Sequence, residues 1–121
     1  MRRASPNVSD RASKTGFEPI DASDVLTRVT QLPLSQWSYR NEPSVRHLGP
    51  VAQDFRAAFG LGEDERTIST VDSAGVALAA IQGLNAKLEA ENAAKDNEIA
   101  VLRQDLAALR ALVESRLRGE R

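Results

Sequence analysis

The sequence predicts an α+β fold: a small mixed body of short strands and helices, followed by a long C-terminal helix that forms a coiled coil. Three observations carry this. All five aromatic residues, Phe17, Trp37, Tyr39, Phe55 and Phe59, precede residue 60, and the second half has none. Residues 76–117 are dominated by Ala, Leu, Glu, Arg, Lys and Gln, all good helix formers, with no Pro and a single internal glycine, Gly83. Apolar residues recur there at Ile81, Leu84, Leu88, Ile99, Leu102, Leu106, Leu109 and Val113. Steps of three and four are the seam of a coiled coil rather than the wider apolar stripe of a globular surface helix.

The body is read as residues 9–75. Thr15-Gly16 is a turn, followed by a short extended piece, Phe17-Glu18-Pro19-Ile20. Asp21 or Ser23 caps a short helix through Val25, Leu26, Val29 and Leu32, and Pro33 ends it. From Leu34 to Tyr39 apolar and polar residues alternate, which gives a half-buried strand. Asn41-Glu42-Pro43-Ser44 is a turn, so the segment 45–50 returns as the second strand of a hairpin. Val51, Phe55, Ala58 and Phe59 share one face of a helix that Gly60 closes. A polar loop follows, then a short strand over Ile68 to Val71, with Asp72 and Ser73 leading into the long helix. A body of about sixty residues is marginal as a free-standing core, so its aromatics must pack on one another or on neighbouring chains.

The helical segment, 76–121, is the second unit. About 42 helical residues give a rod of roughly 60 Å, which cannot bury its own seam and needs partner helices. With Ile99 at an a position, Leu102, Leu106, Leu109 and Val113 follow as d, a, d and a. Traced backwards, the seam passes through Lys95 and Asn92 and reaches Leu88 and Leu84 by two consecutive steps of four, a stutter that relaxes left-handed supercoiling. The polar insert 91–98 has two readings. Either the helix is weakly packed or frayed there, or Asn92 or Lys95 in the core fixes register and strand number. The Ile and Leu choices do not decide between two and three strands.

Composition narrows the function. Sixteen Lys and Arg balance 17 Asp and Glu for a formal charge of −1, which gives no electrostatic case for nucleic acid or an anionic membrane surface. No apolar run is long enough to span a bilayer, and the basic start MRRASPNVSDR has no apolar stretch behind it, so it is not a secretory signal. The absence of cysteine excludes a disulfide framework and thiolate metal ligation. No metal or cofactor is expected.

Four segments, in order and spacing, resemble one family. Ser9-Asp10-Arg11-Ala12-Ser13-Lys14 with Phe17-Glu18-Pro19-Ile20 is similar to the opening of the chaperone-of-endosialidase family, the C-terminal intramolecular chaperone and auto-processing domains of phage tail spikes and tail fibres. Leu32-Pro33-Leu34-Ser35-Gln36-Trp37-Ser38-Tyr39 resembles its Leu-x-Pro strand. His47-Leu48-Gly49-Pro50-Val51-Ala52-Gln53-Asp54-Phe55 resembles its Gly-x-x-Ala-Gln segment, and residues 72–84 resemble its lead into the final coiled coil.

The resemblance implies a homotrimer that registers a β-rich tail fibre or tail spike, in the host bacterial cytoplasm during virion assembly, and is then cut away. The seam of that trimer would run through Ile81, Leu84, Leu88, Asn92, Ile99, Leu102, Leu106, Leu109 and Val113. The scissile bond falls between Val8 and Ser9, residues 1–8 become an upstream remnant, Ser9 is the nucleophile and Lys14 its basic partner. The chemistry asks for those types: a serine hydroxyl is a weak nucleophile until a base takes its proton, and a lysine serves only when neutral, which desolvation or nearby positive charge promotes. On a regular helix this pair would lie far apart in angle, so a turn or bent strand must bring it together. Arg11 could supply positive charge, Asp10 orients or caps a turn, and His47 is a possible assistant. Two further readings stand beside autoproteolysis: a non-enzymatic trimerisation domain, and the dimerisation arm of a regulatory protein. No basic region precedes the seam, which disfavours the latter.

Overall fold

The structure, a computed structural model, describes residues 6–119. Residues 1–5 of the expected remnant 1–8, and residues 120 and 121 of the expected helical unit, lie outside the described residues. The chain divides into two compact units, residues 1–84 and 85–121.

In the first unit a single 3-10 turn, Arg11–Ser13, is followed by α1, Ala22–Gln31. Asp21 caps α1 by accepting from the Asp24 N–H at 3.2 Å, and the helix stops at Leu32, before Pro33. Strands β1, Ser35–Trp37, and β2, His47–Gly49, pair antiparallel with Ser35 opposite Gly49 and Trp37 opposite His47. Helix α2, Ala52–Phe59, ends on Gly60 in the left-handed conformation (φ 63°), where its N–H reaches the Arg56 carbonyl at 2.8 Å. Phe55 and Phe59 pack together on one face of α2, 5.0 Å between ring centroids and tilted by 52°. An Arg28 N–H donates to the Ala58 carbonyl at 2.8 Å while its Nε pairs with Asp24, which ties α1 to the end of α2.

The long helix α3, Thr70–Leu117, departs from expectation at its start. It begins at Thr70 rather than Val76, and Ile68 to Val71 forms no strand. The cause is local. The Asp64 carboxylate accepts from the Arg66 N–H (2.7 Å), the Thr67 N–H (2.9 Å) and the Thr67 hydroxyl (3.0 Å), which coils the chain just ahead of Ile68. The Ser73 N–H then reaches the Ser69 carbonyl, and no Pro interrupts the helix that follows. A carboxylate at Asp72 in the first turn suits the positive end of the helix dipole.

Gly83 marks a close approach within this unit. A Cβ there would run into the backbone carbonyl of Ala22 and lie 3.1 Å from Leu26 Cβ, so only glycine lets α1 sit against α3. Ala79, Ala80 and Gly83 form the buried face of α3. In the second unit α3 runs without a break through the polar insert 91–98, against the reading that it frays there, and Ile99, Leu102, Leu106, Leu109 and Val113 are exposed on it. Among the described residues no helix is long and apolar enough to cross a membrane.

Candidate functional site

The N-terminal segment builds the candidate site from local chemistry. Asp10 sits in extended conformation and its carboxylate accepts from the Ala12 N–H at 2.9 Å, capping the 3-10 turn. The Asp10 carbonyl accepts twice, from the Ser13 N–H at 3.0 Å and the Ser13 hydroxyl at 2.7 Å. Lys14 closes the turn with its N–H on the Arg11 carbonyl at 3.3 Å and continues in extended conformation. One tight turn therefore reverses the chain between Ser9 and Lys14. The Lys14 ammonium folds back and donates to Ser9 Oγ at 2.7 Å.

The two residues that the sequence singles out are thus in direct contact, although a regular helix would have kept them apart. Ser13 was not singled out, yet its hydroxyl holds the turn. An Asp followed three residues later by Ser is a pattern that side-chain-to-backbone bonding makes readable. Val8, Ser9 and Lys14 are all exposed in the single chain.

His47 is not part of this contact. It stands on β2 in a cluster with Trp37 and Tyr39, 5.0 and 5.2 Å between ring centroids, and Trp37 meets Tyr39 edge-on at 4.8 Å. Its Nε2 is buried without a hydrogen-bond partner, and among the described residues no hydrogen bond joins His47 to Ser9 or Lys14. The indole N–H of Trp37 donates to the Gly49 carbonyl at 3.3 Å across the strand pair. The hairpin aromatics therefore hold β1 to β2, and an apolar surround of this kind suits a structural imidazole. A separate groove of about 680 Å³ between α1, α2 and the start of α3 is lined by Ile20, Phe59, Val71 and the charged Asp24, Arg28 and Asp72; neither Ser9 nor Lys14 lines it.

Comparison with known proteins adds one finding. Residues 9–60, less than half of the chain, match the family model described as chaperone of endosialidase. The match opens on Ser9 and runs through the 3-10 turn, α1, the hairpin and α2. No curated protein and no solved structure matches.

Proposed function

Because residues 9–60 match the chaperone-of-endosialidase family model, we propose an assembly chaperone that trimerises, registers a phage tail fibre or tail spike, and releases itself by cutting the Val8–Ser9 bond. The observation that supports the cleavage is the 2.7 Å contact between Lys14 Nζ and Ser9 Oγ. With the amine neutral, the direction of that hydrogen bond reverses: the hydroxyl donates to the nitrogen and loses its proton as it attacks.

The reaction balances within the chain plus one water. Ser9 Oγ adds to the Val8 carbonyl carbon, the C–N bond to Ser9 breaks, and the proton held by Lys14 goes to the departing Ser9 amine. The resulting ester between Val8 and the Ser9 oxygen is then hydrolysed, which leaves a Val8 carboxylate and a free Ser9 hydroxyl. Exposure of both residues in the single chain supports a coupling of cleavage to assembly, since packing against neighbouring chains supplies the desolvation that the base needs. The setting would be the bacterial cytoplasm during virion assembly, with the tail protein as client.

The test fuses a reporter domain ahead of Met1 and follows its release on a denaturing gel. Ser9→Ala should abolish release, and Lys14→Met should slow it by about 10²–10⁴-fold, the usual worth of a positioned base. Release from Ser9→Ala at the unaltered rate would end the proteolytic reading. The same exposure of Ser9 and Lys14 favours one second reading, a non-enzymatic registering domain, which predicts a trimer of intact mass whatever occupies position 9.

A further inference from the structure

The seam of α3 has a simpler frame than a stutter requires. With Ile99 at a and Leu102 at d, counting back in strict heptads places Lys95 at d, Asn92 at a, Leu88 at d, Asn85 at a, Ile81 at d and Leu78 at a. Leu84 then occupies the flanking g position, and the repeat is unbroken. Because α3 is continuous through 91–98, nothing in the backbone interrupts that repeat. Of the four consecutive core layers Asn85, Leu88, Asn92 and Lys95, three are polar. In the single chain the Asn85 amide finds only a long contact of 3.4 Å to Glu89 within its own helix.

The flanking charges say which occupant fits. The g positions of this frame carry Glu91, Glu98 and Asp105, and the e positions Glu89, Asp96, Arg103 and Arg110, with Glu89 facing the uncharged Leu84. In parallel, in-register helices each g faces the e position of the following heptad on its neighbour, which pairs Glu98 with Arg103 and Asp105 with Arg110. An antiparallel arrangement sets g against g, where every charged residue from 91 onward is acidic. The parallel arrangement leaves one like-charged pair, Glu91 with Asp96, and Lys95 lies on the core edge between them. Glu91 precedes Lys95 by one helical turn, the favoured order for such a pair.

We propose that Asn85, Asn92 and Lys95 form a polar lock in the seam, in which the Lys95 ammonium sits between Glu91 of its own helix and Asp96 of a second copy of this chain, and that the lock fixes parallel, in-register assembly. This rests on the self-assembly reading above. A slip of one heptad puts Asn92 against Ile99 and Lys95 against Leu102, so polar groups are buried unpaired, and that cost is what selects the register.

The chain has no cysteine, so single introduced thiols report geometry directly. Leu102→Cys and Leu109→Cys chains, one of them isotopically labelled, are mixed by refolding, oxidised with oxidised glutathione and read by mass spectrometry. Like-with-like links at 102 and at 109 are expected, with the 102-to-109 link of a slipped register lower by on the order of tenfold. Adding Asn85→Ile, Asn92→Ile and Lys95→Leu to both chains should raise the slipped link to parity. Equal slipped yields with and without the lock, high or nil, overturn it. An oligomer by sedimentation that forms no like-with-like link also overturns it while leaving self-assembly intact, whereas a monomer overturns both.

Discussion

Asp64 shows how one exposed side chain fixes where an element begins. Its carboxylate gathers the Arg66 N–H, the Thr67 hydroxyl and the Thr67 N–H, with Arg56 nearby, and together these hold its pKa below the ordinary 3.8 against the opposing effect of desolvation. The Arg66 N–H is the largest cause. A carboxyl whose folded pKa lies below its unfolded value contributes stability that is fully present above the unfolded pKa and is lost as pH falls through the folded one. An NMR titration of the Asp64 carboxyl carbon should therefore give a midpoint under 3.8, and Thr67→Val should raise it by removing the hydroxyl donor. A midpoint at or above 3.8 in the unaltered chain would mean that the loop does not hold this turn in solution. Asp64 was legible only as part of a polar loop. Its grip on Thr67 is what turns the expected strand at Ile68 to Val71 into loop and helix, and no period-two alternation could have revealed a side chain competing with the sheet.

At the scale of elements, what the sequence made legible follows from how local each signal is. The Asp21 cap, the Pro33 stop, the hairpin and the Gly60 terminator are settled within a few residues, and each lies where the spacing put it. The contact of Ser9 with Lys14 is equally local, but it needs the turn that Asp10 and Ser13 build, which the five-residue spacing of Ser9 and Lys14 does not by itself disclose. Gly83 is the opposite case. In the sequence it is a blemish in a helix, whereas in the fold it is where the backbone of α1 meets α3. Two effects oppose each other in Gly83→Ala: helix propensity favours alanine by about 1 kcal/mol, while a methyl forced against a backbone carbonyl costs about 1–3 kcal/mol. The steric effect should win, because a carbonyl cannot swing aside as a flexible side chain does. A melt followed by circular dichroism should show Gly83→Ala lowering the transition by a few degrees. Gly75→Ala supplies the contrast, since a Cβ there meets nothing within 4 Å and the substitution should stabilise. Two variants that move together would remove the packing argument.

At the scale of the whole molecule, the buried apolar residues among those described are only Phe55, Ala79 and Ala80. Leu102 and Leu109 of the seam are 64% and 57% exposed, and Phe17 and Leu48 of the body are 69% exposed. Hydrophobic burial is the main favourable contribution to folding, so on the proposed self-assembly a chain that leaves these groups in water would gain further stability by burying them against copies of itself. Folding and association are then linked, and the melting temperature should rise with protein concentration. The sharpest probe is Leu106→Asp, which puts a carboxylate into a core layer of the seam. A charge buried without a partner costs about 3–5 kcal/mol, and each copy in the assembly would add one. Sedimentation velocity should find Leu106→Asp monomeric at concentrations where the unaltered chain is assembled, and its melting temperature should no longer depend on concentration. Glu89→Ala, at a flanking position, should leave both measurements unchanged. Both core frames consistent with the sequence place Leu106 at a, so this variant tests the existence of the seam rather than the register within it. If Leu106→Asp sediments like the unaltered chain, the apolar row of α3 is not what holds the copies together, and the exposed apolar residues of the body, Phe17 and Leu48 among them, become the surface to test next.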